Sequence, residues 1–361
     1  VREPGQEYKE DIETASKAAV AGGFTTIVAT PAGPIAMDTP EMVEHVLRRG
    51  KAVGLCSVEA ATSITQGLRG ETLTEVATTQ RAGAKIVSEG AHTIGNAQLM
   101  RSALEYATDF GLTVVAYAED ATLAADGHMH EGVMSTALGL KGIPRAAETT
   151  IVNRDLALAE LTGASIHIAQ LTCAQSVELV RKAKERGVRV TADVSPNHLV
   201  FTDKHLSEFD TNLKIRPPLR ESVDKDALWE GLADGTIDAI ATGHAPQTIL
   251  EKDRTFGAAS TGALGLQTAL SSALTAAKGS PAGPEVIIRA FTQGASKVLT
   301  GGYAGLRQGE QASIVIFNPS TEWTLKTSDI QSKSKNAPFA GRPLAGRVEK
   351  TFFDGRLVYS A

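Results

Sequence analysis

Residues 147–194 read AETTIVNRDLALAELTGASIHIAQLTCAQSVELVRKAKERGVRVTADV, and helix-like and strand-like patterns alternate twice within them. The pattern predicts a helix over 147–161, a strand over 165–170, a helix over 174–185 and a strand over 188–194. Strands separated by helices are the rhythm of repeated βα units, so the sheet they build is read as parallel.

The rhythm extends in both directions. Further strands are expected at 25–30, 52–58, 85–88, 113–117 and 238–242, and further helices at 11–21, 40–49 and 96–110, several opening with Asp, Asn or Pro as helix starts do. Seven such strands make an α/β fold of the (β/α)8 TIM-like barrel type that lacks its first strand. Residues 2–6 read as the loop leaving a strand's carboxyl end, so the missing strand is expected before Val1. Helices are expected again at 263–277 and 286–299. Residues 312–317, 347–353 and 357–359 then read as antiparallel strands, with a turn at Asp354-Gly355. The barrel is assigned to residues 1–300 and a small β appendage to residues 301–361, with 326–343 as the most linker-like stretch.

Bulk properties agree with one large unit plus a minor one across 361 residues. A hydrophobic fraction of 42% with only 5% aromatics suits helix-on-sheet packing. The net charge of -5 and the absence of a Lys/Arg run argue against a nucleic-acid partner. Cys56 and Cys173 each sit in an apolar segment and are read as reduced thiols. No apolar run approaches the roughly 20 residues that span a bilayer, and the expected location is the cytoplasm.

In a barrel, reactive groups belong at the carboxyl ends of the strands. Those ends supply Ala32, Glu89-Gly90, Tyr117 with Glu119-Asp120, His167 with Gln170, Asn197-His198, and Gly243-His244 with Gln247. His128 and His130 lie in a turn-rich loop and are read as surface histidines. His198 and His244 are read as hydrogen-bonding residues of the barrel rim, and Glu119-Asp120 as a helix start.

Several long segments carry a resemblance in order along the chain: REPGQEYKEDIETASKAAVAGGFTT, EGVMSTALGLKGIPRAAE, TADVSPNHL, KIRPPLR, TGHAPQT with FGAASTGALGLQTAL, and GRPLAGRV. Together they resemble the dihydroorotase family of the amidohydrolase superfamily. The resemblance implies an amidohydrolase-type barrel in which a metal-bound hydroxide attacks an amide carbonyl and an aspartate shuttles the proton.

At the positions the resemblance implies for that chemistry, this chain departs. Tyr117 stands where the family has a ligand histidine before x-Glu-Asp, Gln170 where an H-x-x-H run ends in a second ligand, and Gly243 where the catalytic aspartate precedes His-Ala-Pro-His; Gln247 replaces the last histidine of that motif. Gly243 is expected to share a strand face with Ile237, Ala239 and Ala241. Ala32, Arg216 and Asn197 replace an asparagine, an asparagine and a histidine of the substrate site. Arg2 keeps its family position, either as a carboxylate contact or as a barrel-mouth ion pair. The bridging carboxylate falls near Glu89, and the family's H-x-H pair falls upstream of Val1.

These departures lead to the expectation of a non-catalytic dihydroorotase-like protein with no metal and no cofactor. Its expected role is that of a structural and assembly partner of aspartate carbamoyltransferase in pyrimidine biosynthesis, in homo- and hetero-oligomers. The alternative is an active metal-dependent dihydroorotase, or related cyclic amidohydrolase, with an altered metal site. A second alternative is a sensor that holds a carboxylated ligand through Arg2.

Overall fold

Seven strands lie side by side in chain order in one parallel sheet: β1 Thr26–Ala29, β2 Ser57–Thr62, β3 Ile86–Ser88, β4 Thr113–Tyr117, β5 Ile166–Ala169, β6 Val190–Val194 and β7 Ala239–Ile240. The computed structural model describes residues 1–31, 33–299 and 305–361. Helices separate successive strands, including Ile12–Ala21 before β1, Pro40–Val53 before β2, Ala97–Asp109 before β4, Ala146–Thr162 before β5 and Ala174–Glu185 before β6. This is the layering of a (β/α)8 barrel.

The sequence explains the close packing. In the helix Ile12–Ala21 the buried face is Ile12, Ala15, Ser16, Ala18 and Ala19, small side chains that let the helix approach the sheet. Asp11 caps its start by accepting from Thr14 N at 2.8 Å. Ile166 and Ile168 of β5, Ala192 and Val194 of β6 and the helical Val177 and Val180 lie in one core cluster. A fully buried aliphatic side chain of this kind contributes about 1.5–3 kcal/mol.

The expected element at 52–58 is displaced. Ala52 and Val53 belong to the last turn of the helix Pro40–Val53, which Gly54 terminates at φ 64°, and the strand starts at Ser57. The apolar run spans a helix end, a turn and a strand start, so hydrophobicity alone places the boundary too early. The expected helix at 263–277 forms only over Ala269–Ala277. Ala263 instead makes a parallel bridge with His244. At 286–299, the helix Pro284–Arg289 passes into a π-helical turn over Ala290–Gly294.

The appendage is a three-stranded antiparallel sheet, Ile314–Thr324, Pro343–Phe353 and Arg356–Ser360, longer in each strand than expected. Asp354 and Gly355 form its turn, with φ of 49° and 75°. Residues 326–343 are not a linker. Ile330, Ala337 and Phe339 are buried, and the Asn336 amide donates to the Ala245 and Gly262 carbonyls, so this segment packs onto the barrel loops. The appendage also closes on the first helix, where the Thr351 hydroxyl donates to the Val20 carbonyl at 2.7 Å. The expected boundary at 300/301 and Ala32 lie outside the described residues. Among the described residues no helix is long and apolar enough to cross a membrane.

Candidate active site at the carboxyl ends of the strands

Loops that follow the strands line an open cavity of about 410 Å³. Lys9 enters from the segment before the first helix, Asp126 and His128 from the loop after β4, Lys214 and Arg216 from the loop after β6, and Gln247 from the loop after β7; residues 257–261 form the remaining wall. Of the substitutions singled out in the sequence, Arg216 and Gln247 meet in this cavity. Gln247 is bound at both ends of its amide, accepting from Lys9 Nζ at 2.8 Å and donating to the Thr261 carbonyl at 2.7 Å. Arg216 Nε donates to Glu119 Oε1 at 2.7 Å. Glu119 therefore has a partner across the mouth, and only Asp120 acts as a helix start, accepting from Thr122 N and Leu123 N.

Tyr117 is buried with Glu89 and Asp155 around a separate space of only about 10 Å³. Burial first, and then the Glu119 carboxylate, hold its phenol well above the usual tyrosine range. Burial likewise raises the Glu89 carboxyl. Glu89 accepts from Ile64 N and Thr65 N, each at 3.0 Å, and from the Thr65 hydroxyl. Both its oxygens are thus committed to the loop after β2.

His167 lies on β5 with both ring nitrogens engaged. Nε2 donates to Asp193 Oδ2 at 2.7 Å, and Nδ1 accepts from the Thr191 hydroxyl at 2.8 Å. Gln170 sits at φ 55° and its backbone N–H donates to the other Asp193 oxygen at 2.9 Å. At the end of β6, the Ser195 hydroxyl donates to His198 Nδ1 at 2.8 Å while His198 Nε2 donates to the Pro217 carbonyl at 3.0 Å. Burial pushes this imidazole down to about 4, so it stays neutral. Between them, Asn197 is buried with its Oδ1 lacking a hydrogen-bond partner. His244 accepts at Nδ1 from Gly265 N and Leu266 N and donates from Nε2 to Glu10 at 3.2 Å.

Gly243 does not share a strand face with Ala239 and Ala241. The strand ends at Ile240, and Gly243 has turned into the left-handed region at φ 59°. Alternation is lost once the backbone leaves the extended conformation. His130 is likewise not a surface residue. It is 1% exposed on a two-residue strand, Met129–His130, paired in parallel with Gly142–Ile143. The apolar Met129 and Ile143 carry this loop inward. Arg2 is half-buried, and burial followed by the charge of Glu251 governs its guanidinium.

Zinc takes imidazole, thiolate or carboxylate donors. The described positions offer a buried neutral phenol at Tyr117, an amide at Gln170, a glycine at 243 and a carboxyl at Glu89, one oxygen of which accepts two backbone N–H groups and the other the Thr65 hydroxyl. These residues do not fit the ion. Among the described residues one group of three, His130, Glu221 and Asp224, has donor atoms close enough to share a cation. Arg145 already bridges its carboxylates, at 2.5 Å from Glu221 and 2.6 Å from Asp224. Sequence reasoning missed Lys9, Lys214, Asp193 and Ser195, the partner of His198. The Ser-x-x-His spacing was the one available signal among them.

The Dihydro-orotase-like family profile matches residues 1–176. The chain is 43% identical over 361 residues to a dihydroorotase of Anaeromyxobacter dehalogenans (strain 2CP-C), an alignment covering 99% of this chain and 83% of that protein. It is 41% identical over 360 residues to a dihydroorotase of Syntrophobacter fumaroxidans, covering 100% and 82%. Among solved structures, the L-hydantoinase (dihydropyrimidinase) from Arthrobacter aurescens matches with a TM-score of 0.86 at 21% identity, covering 100% of this chain and 83% of that one, and shows the same barrel fold. Full-length relatives named for the enzyme overturn the expectation of a non-catalytic, non-enzymatic chain. That expectation weighed the substituted positions Tyr117, Gln170, Gly243 and Gln247, together with the altered Ala32, Arg216 and Asn197. The mouth keeps cations at Lys9, Lys214 and Arg216 and one imidazole, His128, while His167, His198 and His244 lie outside its lining with both ring nitrogens hydrogen-bonded.

Proposed function

Since this chain belongs to the dihydroorotase family of the amidohydrolase superfamily, we propose that it is a cyclic amide hydrolase with an altered site, acting on a carboxylated ring of the dihydroorotate type. The observation that carries this reading is sequence identity held along the whole chain with relatives of that name. The cationic cavity supports it, because a carboxylated substrate needs a positive wall. Arg2, at its family position, is proposed as a carboxylate contact, which an Arg2→Ala variant checks by loss of ligand-induced thermal stabilisation.

The test is ring opening and ring closure by the purified full-length protein, with its metal content measured and with divalent ions both added and chelated. Turnover in either direction supports the reading. No turnover under any of these conditions, by a protein that unfolds cooperatively, overturns it. Oligomerisation, association with aspartate carbamoyltransferase and a cytoplasmic location are proposed on the resemblance alone. Size exclusion of the two co-expressed proteins tests the association, and separate elution counts against it.

A further inference from the structure

Of the eight histidines in the chain, seven have a ring nitrogen hydrogen-bonded or facing a carboxylate, and His128 is the exception. Among the described residues its ring makes no hydrogen bond and no ion pair. It is half-buried and lines the open cavity, with its Nε2 edge toward Gly257, where a β-carbon would lie 3.5 Å from that nitrogen. The loop after β4 fixes it there. The His128 backbone N–H donates to the Lys141 carbonyl at 2.9 Å, and Met129 beside it is wholly buried. Gly127 packs so closely that a β-carbon on it would lie 2.4 Å from Ile143 Cγ1.

The other ionisable groups of the lining are committed. Lys9 is bound to Glu251 at 2.7 Å, Arg216 to Glu119 at 2.7 Å, and Asp126, with a side chain 76% exposed, to Lys141. The Lys214 ammonium donates to the Phe256 and Gly257 carbonyls at 2.7 and 2.8 Å. Ammonium and guanidinium groups carry no lone pair to accept a proton, and the Gln247 amide is a feeble base. An imidazole does both jobs, since in its neutral form one nitrogen holds a proton and the other accepts one. Burial first, and then the charge of Lys214, hold His128 below its ordinary 6.5; Arg216 and Lys141 push the same way and Asp126 opposes them. The ring is therefore neutral at pH 7, with its lone pair available.

We propose that His128 is the acid–base group of the mouth: its imidazole takes a proton from the water that attacks an acyl carbon and returns it to the departing group. With a cyclic amide, the carbon–oxygen bond forms as a proton of the water passes to the free nitrogen of His128. The carbon–nitrogen bond then breaks as the imidazolium protonates the nitrogen, which regenerates the neutral ring, and the new carboxyl group releases its proton to solvent. The assignment to a cyclic amide rests on the hydrolase reading. The same uptake of a proton from water serves an activated ester, whose phenolate departs unprotonated, and that reaction is measurable without the natural substrate.

The experiment compares the full chain with its His128→Gln and His128→Ala variants on dihydroorotate and on p-nitrophenyl acetate. A ring without hydrogen bonds leaves the fold little to lose, so both variants should unfold cooperatively at the wild-type midpoint. On dihydroorotate the expected loss is about 100-fold in kcat with KM held within about twofold, and on the ester about tenfold in rate at pH 7. Imidazole added to the solution should restore part of the rate to His128→Ala and none to the wild type. Ester rates that coincide in the wild type and the folded variants overturn the proposal, as does a cyclic-amide loss carried by KM alone. A wild type that opens no cyclic amide, yet hydrolyses the ester through His128, sinks the hydrolase reading and leaves the acid–base group standing. Cyclic-amide turnover indifferent to His128 does the reverse.

Discussion

Gly243 and Ser195 face each other at the limit of contact: a β-carbon on Gly243 would lie 3.1 Å from Cβ of Ser195 and 3.5 Å from its hydroxyl oxygen. With φ at 59°, the backbone adds its own restriction. Gly243→Ala is therefore expected to cost about 1–2 kcal/mol. Gly243→Asp should cost less on the backbone side, because aspartate enters the left-handed region more readily than alanine. Urea unfolding midpoints check this, and an alanine variant as stable as the wild type would refute the strained geometry.

Glu148 is a buried hub. It accepts from Thr172 N at 3.0 Å and Cys173 N at 3.1 Å, takes the Thr172 hydroxyl, and faces Arg220 at 3.7 Å. Glu148→Ala strands two backbone donors and a guanidinium, with an expected cost of about 3–5 kcal/mol. Glu148→Gln keeps one acceptor oxygen and should fall between. The order of stability wild type, Gln, Ala is read from unfolding midpoints or from soluble yield, and any other order contradicts the hub.

Burial lowers both His130 and His198 to about 4. The unfolded imidazoles take protons near pH 6.5 while the folded ones do not, so the stability present above that pH is lost as pH falls from about 6.5 toward 4. Asp155, raised to about 6 by burial, works in the opposite sense below that pH but offers one proton against two. Unfolding midpoints at pH 7 and pH 5 should show a drop at the lower pH, and a smaller drop in His198→Gln. An unchanged slope in that variant would remove His198 from the account.

Residues 263–266 run beside the end of β7, and Gly265 permits it: a β-carbon there would sit 1.9 Å from the Thr242 carbonyl oxygen. Gly265→Ala is expected to destabilise by about 3 kcal/mol or more, since backbone must move. Gly95→Ala, with nothing within 4 Å of its added carbon, is the control and should be close to neutral. Similar thermal midpoints for the two variants would contradict the close approach.

The strands were legible where the apolar run and the strand coincide. The expected 113–117 matches β4 residue for residue, and 174–185 matches its helix. The run at 52–58 misled because Ala52 and Val53 pack as the end of a helix. Of the substituted positions, Arg216 and Gln247 reach the mouth from the loops after β6 and β7, whereas Tyr117, Gln170 and Gly243, nearer the strand ends, do not line it. Lys9 and Lys214 were not legible, since a lysine in a loop reads as solvated charge. Lys214 is buried by Phe256 and Gly257, some forty residues onward, a meeting that no local pattern records. His130 was misread for the same reason, its burial depending on the partner strand Gly142–Ile143.

The hydrogen bond from Thr351 to Val20 joins residues 331 positions apart, and Ser334 to Lys9 joins residues 325 apart. The helix Ile12–Ala21 thus cannot bury its outer side until the ribosome has released nearly all of the chain described. A chain that stops before residue 343 therefore leaves the side of that helix that the appendage covers exposed to water.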